Sequence, residues 1–375
     1  MDKLLTIGVA VYNIKEEYLR GCIKSVTMNR GENIEILIID DCSDESCSEI
    51  CRKCCEGDSR ITYIKNERNM GISAVRNMII DMASGEWVAF VDGDDLLSPN
   101  FAAAVNILKD SGRNLIIFNK QTFYRMPPEG AAVCRSQDAL ECILPNAKQL
   151  YDMALSAINR KALTDGIADG VMLNPGAVCS VAYKKDYLTD GEFRFNTDLK
   201  TAEDSLFSAA VLSHTPNAVI CPEVMYYYRL NQYSVTHRYD ENSKAVTDAY
   251  LKAIRDFIKE NLKYDSGVMA DFKTYRCIYA ITDNFERNIF HKDNPNGYER
   301  RKKDFLNLLN SAPYRAAIES ANPMTYSVYV TRLKVYLAKK RWFFMLDMCF
   351  KHNILFRLYG GAARRINDFK RRIKR

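Results

Sequence analysis

The 375-residue sequence contains no run with the length and apolarity of a transmembrane helix, which argues against a protein that threads helices through a bilayer. It has four histidines, too few to leave room for a cage of imidazoles around a metal. It shows no internal repeat and no low-complexity tract, so solenoid and linker-like architectures drop out. The first residues, Met1-Asp-Lys-Leu-Leu-Thr, lead directly into a strand-like run without the architecture of a secretory leader, and a cytoplasmic setting is expected. Cysteine is not scarce: there are twelve, five of them between Cys42 and Cys55. What is missing is a partner motif. Cys51, Cys54 and Cys55 form a C-x-x-C-C run, but no second well-spaced C-x-x-C or Cys/His pair follows. Structural zinc is therefore disfavoured, and the run reads as reduced thiols on a helix.

What is present is ordinary globular material, 47% hydrophobic and 27% charged, with room for one large core of roughly 220–240 residues plus a second region. The formal net charge of +6 conceals an asymmetry. Residues 332–375 carry 14 Lys+Arg against two Asp, whereas the rest of the chain carries 39 Lys+Arg against 45 Asp+Glu. A mildly acidic body with a strongly basic tail suits a polyanionic surface, membrane or nucleic acid, as partner of the tail.

The first hundred residues alternate apolar runs and helical periodicity. Strands are expected at Leu4–Val11, Ile34–Ile39, Ile61–Ile64 and Trp87–Val91, and helices at Glu17–Met28, Ser46–Cys55 and Ser73–Ala83. This βαβαβαβ order implies a parallel sheet with right-handed crossovers. A helix near Phe101–Lys109 and a strand at Asn114–Phe118 continue it. Between Met126 and Val171 the pattern weakens; Pro175–Lys184 then reads as a strand, Asp204–Ser213 as a helix and Ala218–Cys221 as a strand. From Lys244 the reading is nearly all helix, at Lys244–Leu262, Gly267–Phe290 and Tyr298–Ser311. Soft boundaries near Asp240 and Asn322-Pro323 divide the chain into 1–240, a helical region 241–322 and a basic amphipathic helical tail 323–375.

The chemistry-bearing residues gather after the strands. Ala10-Val-Tyr-Asn13 follows the first and Asp40-Asp-Cys-Ser43 the second. Asn69-Met-Gly-Ile-Ser-Ala-Val-Arg-Asn77 opens the third helix, and Asp92-Gly-Asp-Asp95 follows the strand that begins at Trp87. In a parallel sheet all four lie along one edge, where open α/β sheets bind ligands. Asp92 and Asp94 are two apart, point the same way on an extended chain and can share a divalent ion. An isolated Asp-Gly turn between strand and helix is the plainer reading of that cluster.

The order and spacing of the four blocks, from Leu4 to Pro99 and more weakly to Tyr239, resemble glycosyltransferase family 2. The resemblance implies an α/β GT-A fold: a Rossmann-like, mostly parallel sheet flanked by helices, with the C-terminal helical region appended. It further implies an inverting, metal-dependent hexosyl- or N-acetylhexosaminyltransferase that uses a nucleoside-diphosphate sugar, UDP-linked in the first instance. By this resemblance Asp41, in preference to Asp40, accepts a hydrogen bond from the base, and Ala10 and Tyr12 flank base and ribose. Ala10 departs from the family's usual proline. Arg76 would reach the base or diphosphate. Asp92-Gly93-Asp94 would be the D-x-D motif, with Asp92 on ribose or metal, Asp94 on Mn²⁺ or Mg²⁺, and Asp95 close behind. Thr201-Ala-Glu-Asp-Ser-Leu-Phe207 matches the family's acidic block, which makes Asp204 the base and Glu203 its neighbour; two acidic residues opening a helix are the alternative. Tyr226–His237 matches a further segment, in which Arg229 and Ser234 could meet phosphates and His237 the metal.

Val328–Phe350 mixes apolar residues, among them Trp342-Phe343-Phe344, with Arg332, Lys334, Lys339, Lys340 and Arg341, as an in-plane membrane helix does. A basic helix packed on the body is the alternative; nucleic acid is not expected, since no recognition fold accompanies the charge. The resulting expectation is an enzyme of cell-surface polysaccharide synthesis, peripheral at the inner face of a bacterial plasma membrane, with a glycan or lipid-linked acceptor. The rivals are a non-catalytic GT-A scaffold at the membrane and a nucleotidyltransferase. The second would need a Gly-rich basic loop after the first strand, which Ala10–Asn13 does not supply.

Overall fold

The computed structural model describes residues 3–31, 33–124, 142–159, 176–230, 238–262, 266–326 and 328–352. The chain divides into two compact units, Met1–Asn231 and Gln232–Arg375.

The first unit is an α/β body. In chain order it contains β1 (Lys3–Val11), α1 (Glu16–Thr27), β2 (Ile34–Asp40), α2 (Glu45–Cys55), β3 (Ile61–Lys65), α3 (Ile72–Met82) and β4 (Gly85–Asp92). It continues with β5 (Leu96–Leu97), α4 (Phe101–Leu108), β6 (Leu115–Phe123), α5 (Ala147–Asn159), β7 (Val181–Lys184), α6 (Lys185–Asp190), α7 (Glu203–His214) and β8 (Val219–Arg229). The eight strands run in the order β3-β2-β1-β4-β7-β6-β8-β5. β1 and β4 are buried nearly throughout, as expected where helices cover both faces of a parallel sheet. The pairs among β1 to β4 are parallel, as is β6 with β8, whereas β7 runs antiparallel between β4 and β6. The expected strand Pro175–Lys184 is shorter than its pattern implied; within the described residues it pairs only from Val181.

Register aligns the strand ends. Ala10 stands beside Asp92 on one side and Ile39 on the other, and Val11 stands beside Asp40. The ladder carries on past the strands: Asp41 N donates to the Val11 carbonyl at 2.8 Å and Gly93 N to the Ala10 carbonyl at 2.9 Å. These bonds fix the carboxylate-bearing turns one beside the next. Glycine is required at position 8, where a Cβ would lie 2.3 Å from Ile79 Cγ2, so its absence lets α3 seat closely on β1. That seating sets the height of Arg76 above the sheet edge.

The second unit is helical: α8 (Ser243–Asn261), α9 (Ser266–Asp271), α10 (Ile278–Asn284), α11 (Tyr298–Asn310), α12 (Tyr314–Ser320), α13 (Tyr329–Lys339) and α14 (Phe343–His352). A wider π turn at Phe272–Cys277 joins α9 to α10 and a second at Phe285–Ile289 extends α10, which together make the long helix expected over Gly267–Phe290. Its core is aromatic, with Phe285, Phe290, Phe305 and Phe343 in mutual ring contact.

Within the basic amphipathic stretch Val328–Phe350 the chain forms two helices, α13 and α14. Arg341 adopts φ 58°, its N–H bonds the Ala338 carbonyl at 2.9 Å, and Trp342 N–H reaches back to the Leu337 carbonyl at 3.0 Å. Trp342 then packs on Tyr336 with ring centroids 6.1 Å apart. This is a Schellman cap with its hydrophobic contact, made here without glycine. No helix among the described residues is long and apolar enough to cross a membrane.

Candidate active site

At the first corner of the crevice, the two adjacent aspartates part company. Asp40 is fully buried: Oδ1 accepts from Ser43 N at 2.8 Å, and Oδ2 accepts from the hydroxyls of Ser48 at 2.6 Å and Tyr63 at 2.8 Å. Burial opposes its charge, but these donors prevail and hold its carboxyl below the usual range. Asp40 thus anchors β2 to α2. Asp41 reaches across to the loop before α3, with Oδ1 accepting from Asn66 Nδ2 and Met70 N, both at 2.9 Å, and Oδ2 from Gly71 N at 2.7 Å. Oδ2 therefore keeps one lone pair for a further donor. Gly71, at φ 86°, makes the turn that aims this amide. Asn13 N donates to Ser43 Oγ at 3.0 Å, tying the turn after β1 to that after β2 and leaving Tyr12 half exposed at the rim.

At the centre, Arg76 is buried and bridges two carboxylates: Nη2 donates to Asp92 Oδ1 at 2.9 Å and Nη1 to Glu203 Oε1 at 3.1 Å. Burial works against its charge, yet Asp92, Cys179, Glu203 and Asp204 outweigh that and raise its pKa. The guanidinium also lies over the Phe195 ring at 5.4 Å, and Phe195 stacks on Phe207 of α7 at 3.9 Å. Arg76, read from sequence as a residue that reaches the nucleotide, is here the brace between β4 and α7. Asp92 Oδ2 faces the Cys179 thiol at 3.5 Å, a weak donor, and the Asp92 side chain is 32% exposed.

Beyond it, Asp94 is half-buried and Asp95 almost fully buried. Asp95 Oδ2 accepts from Tyr226 Oη at 2.6 Å and Oδ1 from Arg229 N at 2.7 Å, so it fastens β8 beneath the turn. Burial, then Asp92 and Asp94, push its pKa well up. Arg229 donates Nε to the Asp94 carbonyl at 2.7 Å while stacked between Tyr18 at 4.2 Å and Phe123 at 4.5 Å. Ser234 and His237 lie outside the described residues.

The far wall is the start of α7. Ala202 sits in the left-handed region at φ 67°, a backbone state uncommon for a residue with a Cβ, and swings the first helical turn toward the crevice. Glu203 is buried on Arg76; burial, then the neighbouring Asp204, lift its pKa to about 7 against the pull of Arg76. Asp204 is half-buried, with Oδ1 accepting from Ser205 N at 2.6 Å. Of the pair, Asp204 is the carboxylate with access.

Among the described residues no three His, Cys, Asp or Glu side chains form a metal cage by themselves. A divalent ion bound together with a phosphate-bearing ligand would need no such cage, since one or two protein carboxylates can suffice. Asp92, with an oxygen held only by a thiol, and Asp94 beside it fit that requirement.

The profile described as "Glycosyl transferase family 2" matches residues 6–133, the stretch that holds Asp41, Arg76 and Asp92 to Asp95. The chain carries a family 2 glycosyltransferase domain. The EpsH protein of Bacillus subtilis (strain 168) is 27% identical over 263 residues, covering 70% of this chain and 71% of EpsH. The succinoglycan biosynthesis protein ExoO of Rhizobium meliloti (strain 1021) is 24% identical over 245 residues, and the match spans 64% of its length. The crystal structure of S. aureus TarS 1–349 in complex with UDP-GlcNAc superposes with a TM-score of 0.56 at 16% identity, covering 93% of this chain and 92% of that one. The likeness to TarS establishes the GT-A architecture.

Two features of this crevice had no signal in local sequence. Lys120 and Cys179 come from β6 and from the turn before β7: the crevice carboxylates favour the charge of Lys120, and the Cys179 thiol faces Asp92. Neither sits in a motif; only the pairing of strands distant in sequence brings them there.

Proposed function

We propose that this chain is an inverting, metal-dependent transferase that moves a hexosyl or N-acetylhexosaminyl unit from a nucleoside-diphosphate sugar to a hydroxyl of a glycan or lipid-linked acceptor in cell-surface polysaccharide synthesis. The observation that carries this reading is the alignment of Asp41 with Asp92 and Asp94 along one sheet edge in a family 2 domain, with the start of α7, which bears Asp204, tied to that edge by the Arg76 bridge from Asp92 to Glu203. Asp41 and Tyr12 take the nucleoside, with Ala10 beneath it. Asp92 and Asp94 would hold Mn²⁺ or Mg²⁺, which as a Lewis acid offsets charge on the phosphates. Asp204 accepts the proton of the acceptor hydroxyl as that oxygen bonds to the anomeric carbon; the bond from that carbon to the phosphate oxygen breaks, and the nucleoside diphosphate leaves with the electron pair. The test is release of nucleoside diphosphate from a panel of nucleotide sugars with Mn²⁺, UDP-sugars first. Metal-dependent release from at least one donor is expected; neither turnover nor binding with any donor would sink the proposal.

The acceptor's setting is proposed from a second feature. Tyr336, Trp342 and Phe344 are 43%, 48% and 59% exposed around the α13–α14 cap, next to exposed Lys339 and Lys340. Aromatic rings beside ammonium groups suit an anionic lipid interface. The full chain is expected to float with vesicles containing anionic phosphatidylglycerol, and Trp342→Ser/Phe344→Ser to float less. Equal flotation of the two would count against this surface.

A further inference from the structure

Of the cations close to the crevice carboxylates, Arg76, Arg229 and Lys120, two are committed. Arg76 is spent on Asp92 and Glu203, and Arg229 on the Asp94 carbonyl and two aromatic rings. Lys120 differs. Its ammonium is half-buried, lies 5.4 Å from the centroid of the Tyr228 ring, and makes no hydrogen bond to any described residue. Its position is built: β6 and β8 slip register twice, between Phe118 and Asn119 and between Asn119 and Lys120, before Lys120 comes level with Tyr226. The extra residues lie in β8, which bends there, so that Lys120 comes to stand opposite Tyr226, whose hydroxyl bonds Asp95.

If Lys120 served only to balance those carboxylates, it would be expected to close a charge-assisted bond with one of them. It does not, although Asp204 and Asp92 lie near enough to favour its charge against the burial that lowers its pKa. A partly desolvated ammonium with unbonded protons is unfavourable, and an incoming anion relieves it. Position selects the anion. β6 stands two ladder steps, roughly 10 Å, from β4, on the side of Asp92 away from the nucleoside corner at β2. The reacting carbon must lie between phosphates held at Asp92 and a hydroxyl held at Asp204. The negatively charged group in that interval is the distal phosphate of the donor.

We propose that Lys120 is a substrate-contacting residue that pairs with the distal phosphate of the nucleoside diphosphate. This rests on the donor reading above. When the bond from sugar carbon to phosphate oxygen breaks, the electron pair stays on that oxygen, and Lys120 stabilises the added charge without losing its proton.

The test is calorimetric binding, with Mn²⁺, of whichever of UDP, GDP and dTDP binds best and of the matching monophosphate, to wild type, Lys120→Met and Lys120→Arg. In the Met variant diphosphate affinity is expected to fall at least about tenfold, the scale of one charge-assisted contact, with monophosphate affinity unchanged; the Arg variant should keep most of the preference. Turnover should fall with the diphosphate contact. An unchanged diphosphate-to-monophosphate ratio in Lys120→Met overturns the assignment and leaves the donor reading intact. Should that variant not fold, Lys120→Gln takes its place, and an unchanged ratio there overturns the assignment equally. A wild-type protein that binds none of the nucleotides overturns donor reading and assignment together.

Discussion

Asp204→Asn is expected to lower turnover by about 10²–10⁴-fold, the usual worth of a positioned general base, while nucleoside diphosphate binding is largely retained. The amide keeps the side chain's size and its bond from Ser205 N but cannot take a proton. Glu203→Gln is the informative contrast. Glu203 is buried against Arg76, so it has no path to an acceptor hydroxyl, and its loss acts through the brace rather than through proton transfer. Steady-state kinetics with saturating donor separates the two: Asp204→Asn should reduce kcat, and Glu203→Gln should reduce it far less in any variant that still folds. Turnover of Asp204→Asn close to wild type would remove Asp204 from the role of base. A large kcat loss confined to Glu203→Gln would exchange the two.

How far the sequence alone could reach is clearest where apolar pattern and turn chemistry coincide. Trp87–Val91 could hardly be anything but a buried strand, and it is the heart of β4, Gly85–Asp92. The expected runs at Leu4–Val11, Ile34–Ile39 and Ile61–Ile64 match β1 to β3 within a residue; in β1 and β2 burial on both faces writes itself into consecutive positions, whereas the half-exposed edge strand β3 shows in its β-branched and aromatic residues. Where one face is polar, the reading shortened: Ala218–Cys221 is only the first part of β8, whose remaining residues include Tyr226 and Tyr228 turned toward the crevice. The break at Arg341 was invisible because a Schellman cap without glycine leaves no compositional mark.

The site divides in the same way. Residues on turns directly after strands could be placed from order alone, since parallel pairing puts such turns on one edge. Partnerships could not be. Nothing in the spacing of Asp40 and Asp41 says that the first is sealed by Ser48 and Tyr63 while the second reaches Gly71 N. Arg76 and Glu203 are 127 positions apart, and their contact depends on the stacking of Phe195 on Phe207 to bring α7 alongside α3.

That contact carries the other large expected effect. Arg76→Met should destabilise the protein by about 3–5 kcal/mol at pH 8, the cost typical of breaking a buried pair and stranding its charge. The methionine can fill the space over Phe195, but Asp92 and Glu203 lose their common cation. The loss should depend on pH in a definite direction. In the wild-type fold Glu203 titrates near 7, above the ordinary carboxyl value of 4.5, so it contributes stability at low pH that is lost as pH rises from about 4.5 through 7. Without Arg76 its pKa climbs further, and the window of loss extends upward. At pH 5.5 Glu203 is mostly protonated in either fold, and the variant should be nearer wild type than at pH 8. Urea unfolding at the two pH values measures the difference. Adding Glu203→Gln to Arg76→Met should recover part of the loss at pH 8 and little at pH 5.5, because the amide removes the stranded charge only where that charge exists. Equal losses at both pH values, with no recovery in the double variant, would mean that Arg76 holds the crevice by packing on Phe195 and that its bond to Glu203 is incidental.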